Sequence, residues 1–339
     1  MSDLEPIAPT DALELYLTDR SSDLSDWTIR SHRSRLSTFI EWCRDSEGLE
    51  NLNDLTGRTI HRYKIWRRDE GDINTVTLKT QIDTVRVFVK WLETIEGCPP
   101  DTAAKIKSPS LSPEENIRDT ELHTDAAEEM LDHLTKYEYA SLRHVTLSLL
   151  WHTLMRRGAA RAIDLQDYDR DEQYIHIVHR PETETPLKNG QGGERMVALP
   201  NTMCDLLSDW IDDQRPDVTD DYGRSPLLAT TQGRVHVTTI QQYVYMATRP
   251  CAYGVACPHD QDPDTCAAAV ERYDASKCPS SVSPHAIRRG SITHWLRKDV
   301  PQPAISDRAD VSATVLDAHY DERSEQEKME QRRAFLDDI

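Results

Sequence analysis

Leu78, Ile82, Val85, Val89 and Leu92 follow one another at intervals of four and three residues, the spacing that puts side chains on one face of an α-helix. A helix with one apolar stripe must cover it against other helices. Two upstream segments supply such partners. Asp26 is placed to cap a helix whose stripe includes Ile29, Leu36, Ile40 and Cys43, and Thr56 to cap "GRTIHRYKIWRRDEG". Gly97-Cys98-Pro99-Pro100 stops the series. Residues 1–106 are therefore predicted to form a small helical bundle.

The pattern then changes. Ser-Pro pairs at 108–109 and 112–113 disfavour helix and mark a linker over 107–119. Beyond it, over 120–339, the chain reads as a helix near 124–135 and an apolar helix in "SLRHVTLSLLWHTL". "QYIHIVHR" and "ERMVALP" alternate as two strands of a hairpin, joined by the turn "PETETPLKNGQGG". More helices follow. The expected class is mainly α with a small antiparallel β-sheet, in two domains. No internal repeat is evident.

Composition narrows the function classes. The formal net charge is -19, and arginine outnumbers lysine about threefold. An acidic chain is a poor partner for nucleic acid, since affinity rests largely on neutralising phosphates. A carboxylate-rich, lysine-poor surface suits cytoplasm holding molar salt, however, where screening shrinks the Debye length to about 3 Å and close arginines decide binding. A salt-adapted microbial source is the expectation. No apolar run nears the roughly 18 residues of a membrane span, and "MSDLEPIAPTDALELYL" has no secretory pattern. Cys43, Cys98 and Cys204 are scattered and the total of seven cysteines is odd, which fits a reducing, cytoplasmic compartment.

Four places in the second domain suit phosphoryl transfer: Arg156 in "TLMRRGAARAIDLQDYD", Lys188 in the hairpin turn, His285 and Arg288 in "SPHAIRRGSITHWL", and Tyr320 in "RADVSATVLDAHY". Breaking a phosphodiester without a metal needs charge balance on the nonbridging oxygens, which two guanidiniums supply. It also needs a nucleophile, such as a tyrosine able to form a phosphate ester. A lysine or histidine must protonate the departing oxygen. His and Arg at i and i+3 can face one phosphate. Each residue alone has an ordinary reading as a helix-end charge, a solvated lysine or a half-buried aromatic. Arg157 reads as a surface or DNA-backbone contact, and "TIRSHRSR" and "YKIWRR" in the first domain as solvated faces or phosphate contacts.

The ordered set Arg, Lys, His-x-x-Arg, Tyr resembles the catalytic domain of the tyrosine recombinases, the phage-integrase family. The first domain is similar to the family's helical, SAM-like core-binding domain. The resemblance implies site-specific cutting and rejoining of double-stranded DNA through a 3′-phosphotyrosine on Tyr320, with no catalytic cofactor. It implies that Arg156 and Arg288 hold the phosphate, that His285 assists proton transfer and that Lys188 protonates the leaving oxygen. It also implies a homotetramer on synapsed DNA sites. Two residues depart from the family pattern. Ala159 stands where an acidic residue is usual, and Asp310 where a histidine or tryptophan donates to the phosphate. An ionised Asp310 cannot donate, and it is expected to stay protonated or turn toward Arg308 or another arginine. A type IB topoisomerase-like activity and a catalytically impaired DNA-binding protein are the competing readings.

The insertion at 250–280 holds Cys251, Cys257, Cys266 and Cys278 in a C-x5-C-x8-C-x11-C pattern, with His259 nearby. It is poor in large apolar residues, so a structural metal is a plausible source of order. One zinc is expected on Cys257, Cys266 and Cys278 with either Cys251 or His259, although the usual C-x2-C pair is missing.

Overall fold

The computed structural model describes residues 4–112, 121–321 and 323–333. The chain divides into two compact units, Met1–Arg118 and Asp119–Ile339.

The first unit packs α1 (Pro9–Arg20), α2 (Asp26–Asp45), α3 (Gly57–Glu70) and α4 (Thr75–Thr94) around one core. Leu78, Ile82, Val85, Val89 and Leu92 are all buried, as their spacing requires. They meet Leu36, Phe39, Ile40 and Cys43 of α2, and Tyr63 of α3 lies edge-on to Phe39 with ring centroids 4.9 Å apart. Thr56 caps α3 by accepting from the Thr59 amide. The cap of α2 is Ser25, which accepts from Thr28, while Asp26 occupies the first turn. There its charge complements the helix dipole. Ser108, inside the expected linker, is hydrogen bonded to Asp83 at 2.6 Å and to Arg86 at 2.5 Å. The rest of that segment, from 113, lies outside the described residues. Among the arginines expected as phosphate contacts, Arg33 pairs with Glu14 and Arg68 with Asp69, and Arg67 Nε donates to Gln81 Oε1 at 2.8 Å.

The second unit opens with α5 (Thr124–Tyr137), α6 (Leu142–Thr153) and α7 (Arg157–Ala162). Next comes a three-stranded antiparallel sheet in the order β1 (Tyr168–Asp169), β2 (Tyr174–Ile177), β3 (Arg195–Ala198). In the β2–β3 hairpin Ile175 pairs with Val197, and both are buried with Ile177. After α8 (Asn201–Asp209), β4 (Ala229–Thr230) and β5 (Gly233–Arg234) form a separate two-stranded sheet. The remaining helices are α9 (Val237–Ala247), α10 (Ala267–Val270), α11 (Pro284–Arg297), α12 (Gln302–Ala309), α13 (Ala313–His319) and α14 (Glu325–Arg333). The apolar helix α6 is buried along most of its length and packs against α11. Among the described residues no helix is long and apolar enough to cross a membrane.

Candidate active site

Helix α6 ends at Leu154, a fully buried residue with φ 57°. Left-handed backbone is costly for a side chain of this kind and marks a site where surrounding structure holds the strain. The turn has two results. The Leu154 carbonyl accepts from Arg288 Nη1 at 2.5 Å, and the chain re-emerges at Arg156, the cap residue of α7.

Arg288 lies on α11 with only 2% of its surface exposed. Its Nε and Nη2 make no hydrogen bond of ordinary length among the described residues. Burial pulls this guanidinium down to about 10, and the neighbouring Tyr320 partly offsets the effect. A buried cation with donors to spare is suited to an anion. The guanidinium carbon lies 5.7 Å from the centre of the Tyr320 ring.

Tyr320 follows α13 and is itself buried, packed in a cluster with Leu154, Ile292, Leu296, Ile305 and Leu316. Its backbone is held at both ends. The amide donates to Leu316 at 3.0 Å, and Thr293 Oγ1 of α11 donates to its carbonyl at 3.1 Å. The exposed His285, one turn before Arg288, meets the Tyr320 ring edge to face at 5.6 Å. Arg288 and His285 thus both adjoin the tyrosine.

Arg156 is half-buried and bound to Asp310. Nη1 lies 2.5 Å from Asp310 Oδ2, and Nη2 lies 2.9 Å from the Asp310 backbone carbonyl. Asp310 ends α12 in left-handed backbone, with φ 53°. Its carboxylate faces Arg156, whereas Arg308 instead donates to the His152 carbonyl and stacks over Trp295 at 4.6 Å. Ala159 is buried in α7 and offers no carboxylate.

Lys188 is exposed in the turn between β2 and β3. Its neighbour Asn189 ties that turn to the site, with Nδ2 2.8 Å from Asp310 Oδ1. Sequence reasoning missed Asn189, and it missed Arg195 at the start of β3. Arg195 donates to the Arg308 and Gly193 carbonyls, both at 2.8 Å. Burial lowers its pKa, with Asp310 opposing the shift and Arg156 adding to it. The base of the turn is anchored by a buried charge cluster. Arg180 pairs with Asp167 at 2.5 Å and with Asp164 at 3.4 Å, and Arg234 joins Asp164 at 2.5 Å.

His259 is turned to Ser280, 2.9 Å from Nε2 to Oγ. Among the described residues, no three His, Cys, Asp or Glu side chains gather closely enough to hold a metal ion. The four cysteines are half-buried and unbridged.

Comparison with known proteins agrees with this architecture. Residues 13–94 match the phage integrase N-terminal SAM-like domain. Tyrosine recombinase XerC of Corynebacterium glutamicum is 23% identical over 234 residues, covering 68% of this chain and 69% of XerC. Among solved structures, the Tn1549 transposon integrase in complex with transposon right end DNA aligns at a TM-score of 0.67 with 12% identity, over 98% of this chain and 99% of that one. A lambda integrase tetramer bound to a Holliday junction aligns at 0.65 with 14% identity, over 94% and 80%. The N-terminal segment thus matches a phage-integrase domain, and the chain is similar in sequence to a tyrosine recombinase and in fold to two integrases.

Proposed function

We propose that the protein is a site-specific DNA recombinase that cuts and rejoins duplex DNA through Tyr320. The observation that carries this reading is the meeting of a buried Arg288 and an exposed His285 on the Tyr320 ring, with Arg288 Nε and Nη2 making no hydrogen bond of ordinary length among the described residues. In the cutting step the Tyr320 hydroxyl oxygen bonds to phosphorus and the bond to the 5′ oxygen breaks. His285 takes the hydroxyl proton, and Lys188 delivers a proton to the departing 5′ oxygen. Arg156 and Arg288 balance the charge that grows on the nonbridging oxygens. The products are a 3′-phosphotyrosine and a free 5′ hydroxyl. Rejoining is the reverse attack by a 5′ hydroxyl, so the ester conserves the bond energy and the chemistry calls for no cofactor.

The partners of this reading are duplex DNA and three further copies of the chain on synapsed sites. The lambda integrase tetramer on a Holliday junction supports that assembly by its likeness of fold. A structural zinc in the insertion completes the proposal, with Cys251 favoured over His259 as fourth ligand because His259 is engaged by Ser280. Two contacts support it. The His259–Ser280 bond draws together segments carrying Cys257 and Cys278, and Arg249, bonded to the Ala268 carbonyl, draws together those carrying Cys251 and Cys266.

The deciding experiment uses a nicked duplex carrying the protein's own site, which traps the covalent intermediate. Wild type should yield a protein–DNA adduct that survives denaturation, and Tyr320→Phe should bind the duplex without forming it. An adduct in Tyr320→Phe would mean another nucleophile. Binding with no adduct in wild type would favour an impaired DNA-binding protein, and relaxation of plasmid lacking the site a topoisomerase.

A further inference from the structure

We infer that Asn189 is a phosphate-binding residue, and that Asp310 fills, in the DNA-free protein, the anion seat that Asn189 and Arg156 share. The inference rests on the recombinase reading for its substrate, and on the geometry around Asp310 for its residues.

Two donors bracket one carboxylate. Arg156 Nη1 approaches Oδ2 at 2.5 Å and Asn189 Nδ2 approaches Oδ1 at 2.8 Å. These donors come from separate elements, the start of α7 and the β2–β3 turn, so no local helix or turn geometry dictates their convergence. The seat is shaped for an anion of this size. Gly193 borders it, and a Cβ there would stand 3.3 Å from Asp310 Oδ2. Arg195, bonded to the Gly193 carbonyl, adds positive charge on the same side. A carboxylate presents two oxygens in a planar fork, and donors that grip such a fork also suit two nonbridging phosphate oxygens.

Asp310 and a phosphate cannot both occupy Arg156 as anions without repelling each other. DNA entry must therefore swing the Asp310 side chain out of the seat. Asn189 has a neutral amide with two N–H donors and is free of that conflict. It can stay and donate to the phosphate that replaces the carboxylate. Because it adjoins Lys188, the same turn would bring a phosphate donor and the leaving-group acid together.

The test compares wild type, Asn189→Ala, Asp310→Asn and the double variant in single-turnover cleavage of the nicked duplex. Asp310→Asn should cleave at least as fast as wild type. Asn189→Ala should lose about tenfold to a hundredfold, the size of one hydrogen bond to a charged oxygen, and the same factor should recur in the Asp310→Asn background. If the loss vanishes in that background, Asn189 only restrains Asp310 and the inference fails. It fails equally if Asp310→Asn itself cleaves far more slowly. A calorimetric titration with inorganic phosphate decides the seat without reference to cleavage. Asp310→Asn should bind it about tenfold more tightly than wild type, and adding Asn189→Ala should remove the gain. Unchanged phosphate affinity across the four proteins would overturn the seat, while a wild type that forms no adduct would count against the recombinase reading instead.

Discussion

Arg156 and Asp310, separated by 154 residues in sequence, are joined twice, once through the carboxylate and once through the Asp310 backbone carbonyl. The pair is one-quarter exposed on the arginine side and 13% exposed on the aspartate side. It therefore lies between a surface pair, worth little, and a buried pair, whose breaking is expensive. Lysine at 156 could satisfy only one of the two oxygens, since it lacks the planar fork. Arg156→Lys is expected to slow cleavage about a hundredfold through lost charge stabilisation on the phosphate. It should reduce stability by only about 1 to 2 kcal/mol. Parallel urea unfolding and single-turnover cleavage check this: a cleavage loss no larger than the loss of folded protein would remove Arg156 from the chemistry.

Gly290, two residues beyond Arg288, sets how closely α11 approaches the strand of chain entering the second unit. A Cβ at 290 would lie 1.9 Å from the Leu122 carbonyl oxygen, and Leu122 in turn donates its amide to Ala286 at 3.1 Å. Backbone on both sides leaves no side chain to swing away. Gly290→Ala is expected to destabilise the protein by about 3 kcal/mol, the upper part of the range for overpacking. A urea midpoint equal to that of wild type would show that the contact relaxes freely.

His144 makes the second unit sensitive to acid. It is 3% exposed in α6, its Nε2 faces Thr135 Oγ1 at 3.3 Å, and its Nδ1 has no partner among the described residues. Burial pulls its pKa down to about 4, against a smaller opposing effect of Glu138. Burial also lowers His152 and His294. A histidine whose folded pKa is depressed binds its proton more readily when unfolded. Its neutral form therefore stabilises the fold above about pH 6.5, and that contribution is lost as pH falls toward 4. The size for His144 is roughly 3 kcal/mol. His144→Gln should flatten the fall in urea midpoint between pH 7 and 4.5, leaving the part due to His152 and His294. An unchanged slope would assign the acid sensitivity elsewhere.

These residues also show where the sequence was readable. The four-and-three spacing on α4 and the alternation of β2 and β3 report burial directly, because burial is periodic in helices and strands. His285 and Arg288 were legible for the same reason, one turn apart before a tyrosine. Asn189 was not, since an asparagine in a Gly-rich turn looks like ordinary turn chemistry. Its contact with Asp310 spans 121 residues. Arg180, Arg224 and Arg234 carry no local signal of burial in the sequence, yet they surround the buried Asp164. Tertiary pairing of this kind leaves no local period. β1 has two residues, too few for alternation to register. The left-handed Leu154 was hidden as well, because leucine is the last residue one would expect there.

The insertion at 250–280 yields the last prediction. Cys257 and Cys266 are half-buried between exposed neighbours on both sides, and Cys278 likewise follows and precedes exposed residues. In a segment with so few apolar side chains, thiols are the groups that turn inward. Burial raises the Cys251 thiol, and the nearby Cys278 and Cys257 thiols raise it further once Arg249 has opposed the shift. Zinc would reverse that trend, since it binds thiolates and holds them deprotonated at neutral pH. The cysteines must then draw closer than they stand, which is the energetic work the metal would do. Protein purified without chelator is expected to contain about one equivalent of zinc. Cys257→Ser and Cys278→Ser should each lower that content and loosen the insertion, seen as faster proteolysis within 250–280. His259→Ala should leave the zinc content unchanged, because His259 is committed to Ser280. Less than about half an equivalent of zinc in wild type, with stability indifferent to chelator, would leave the insertion ordered by its own hydrogen bonds alone.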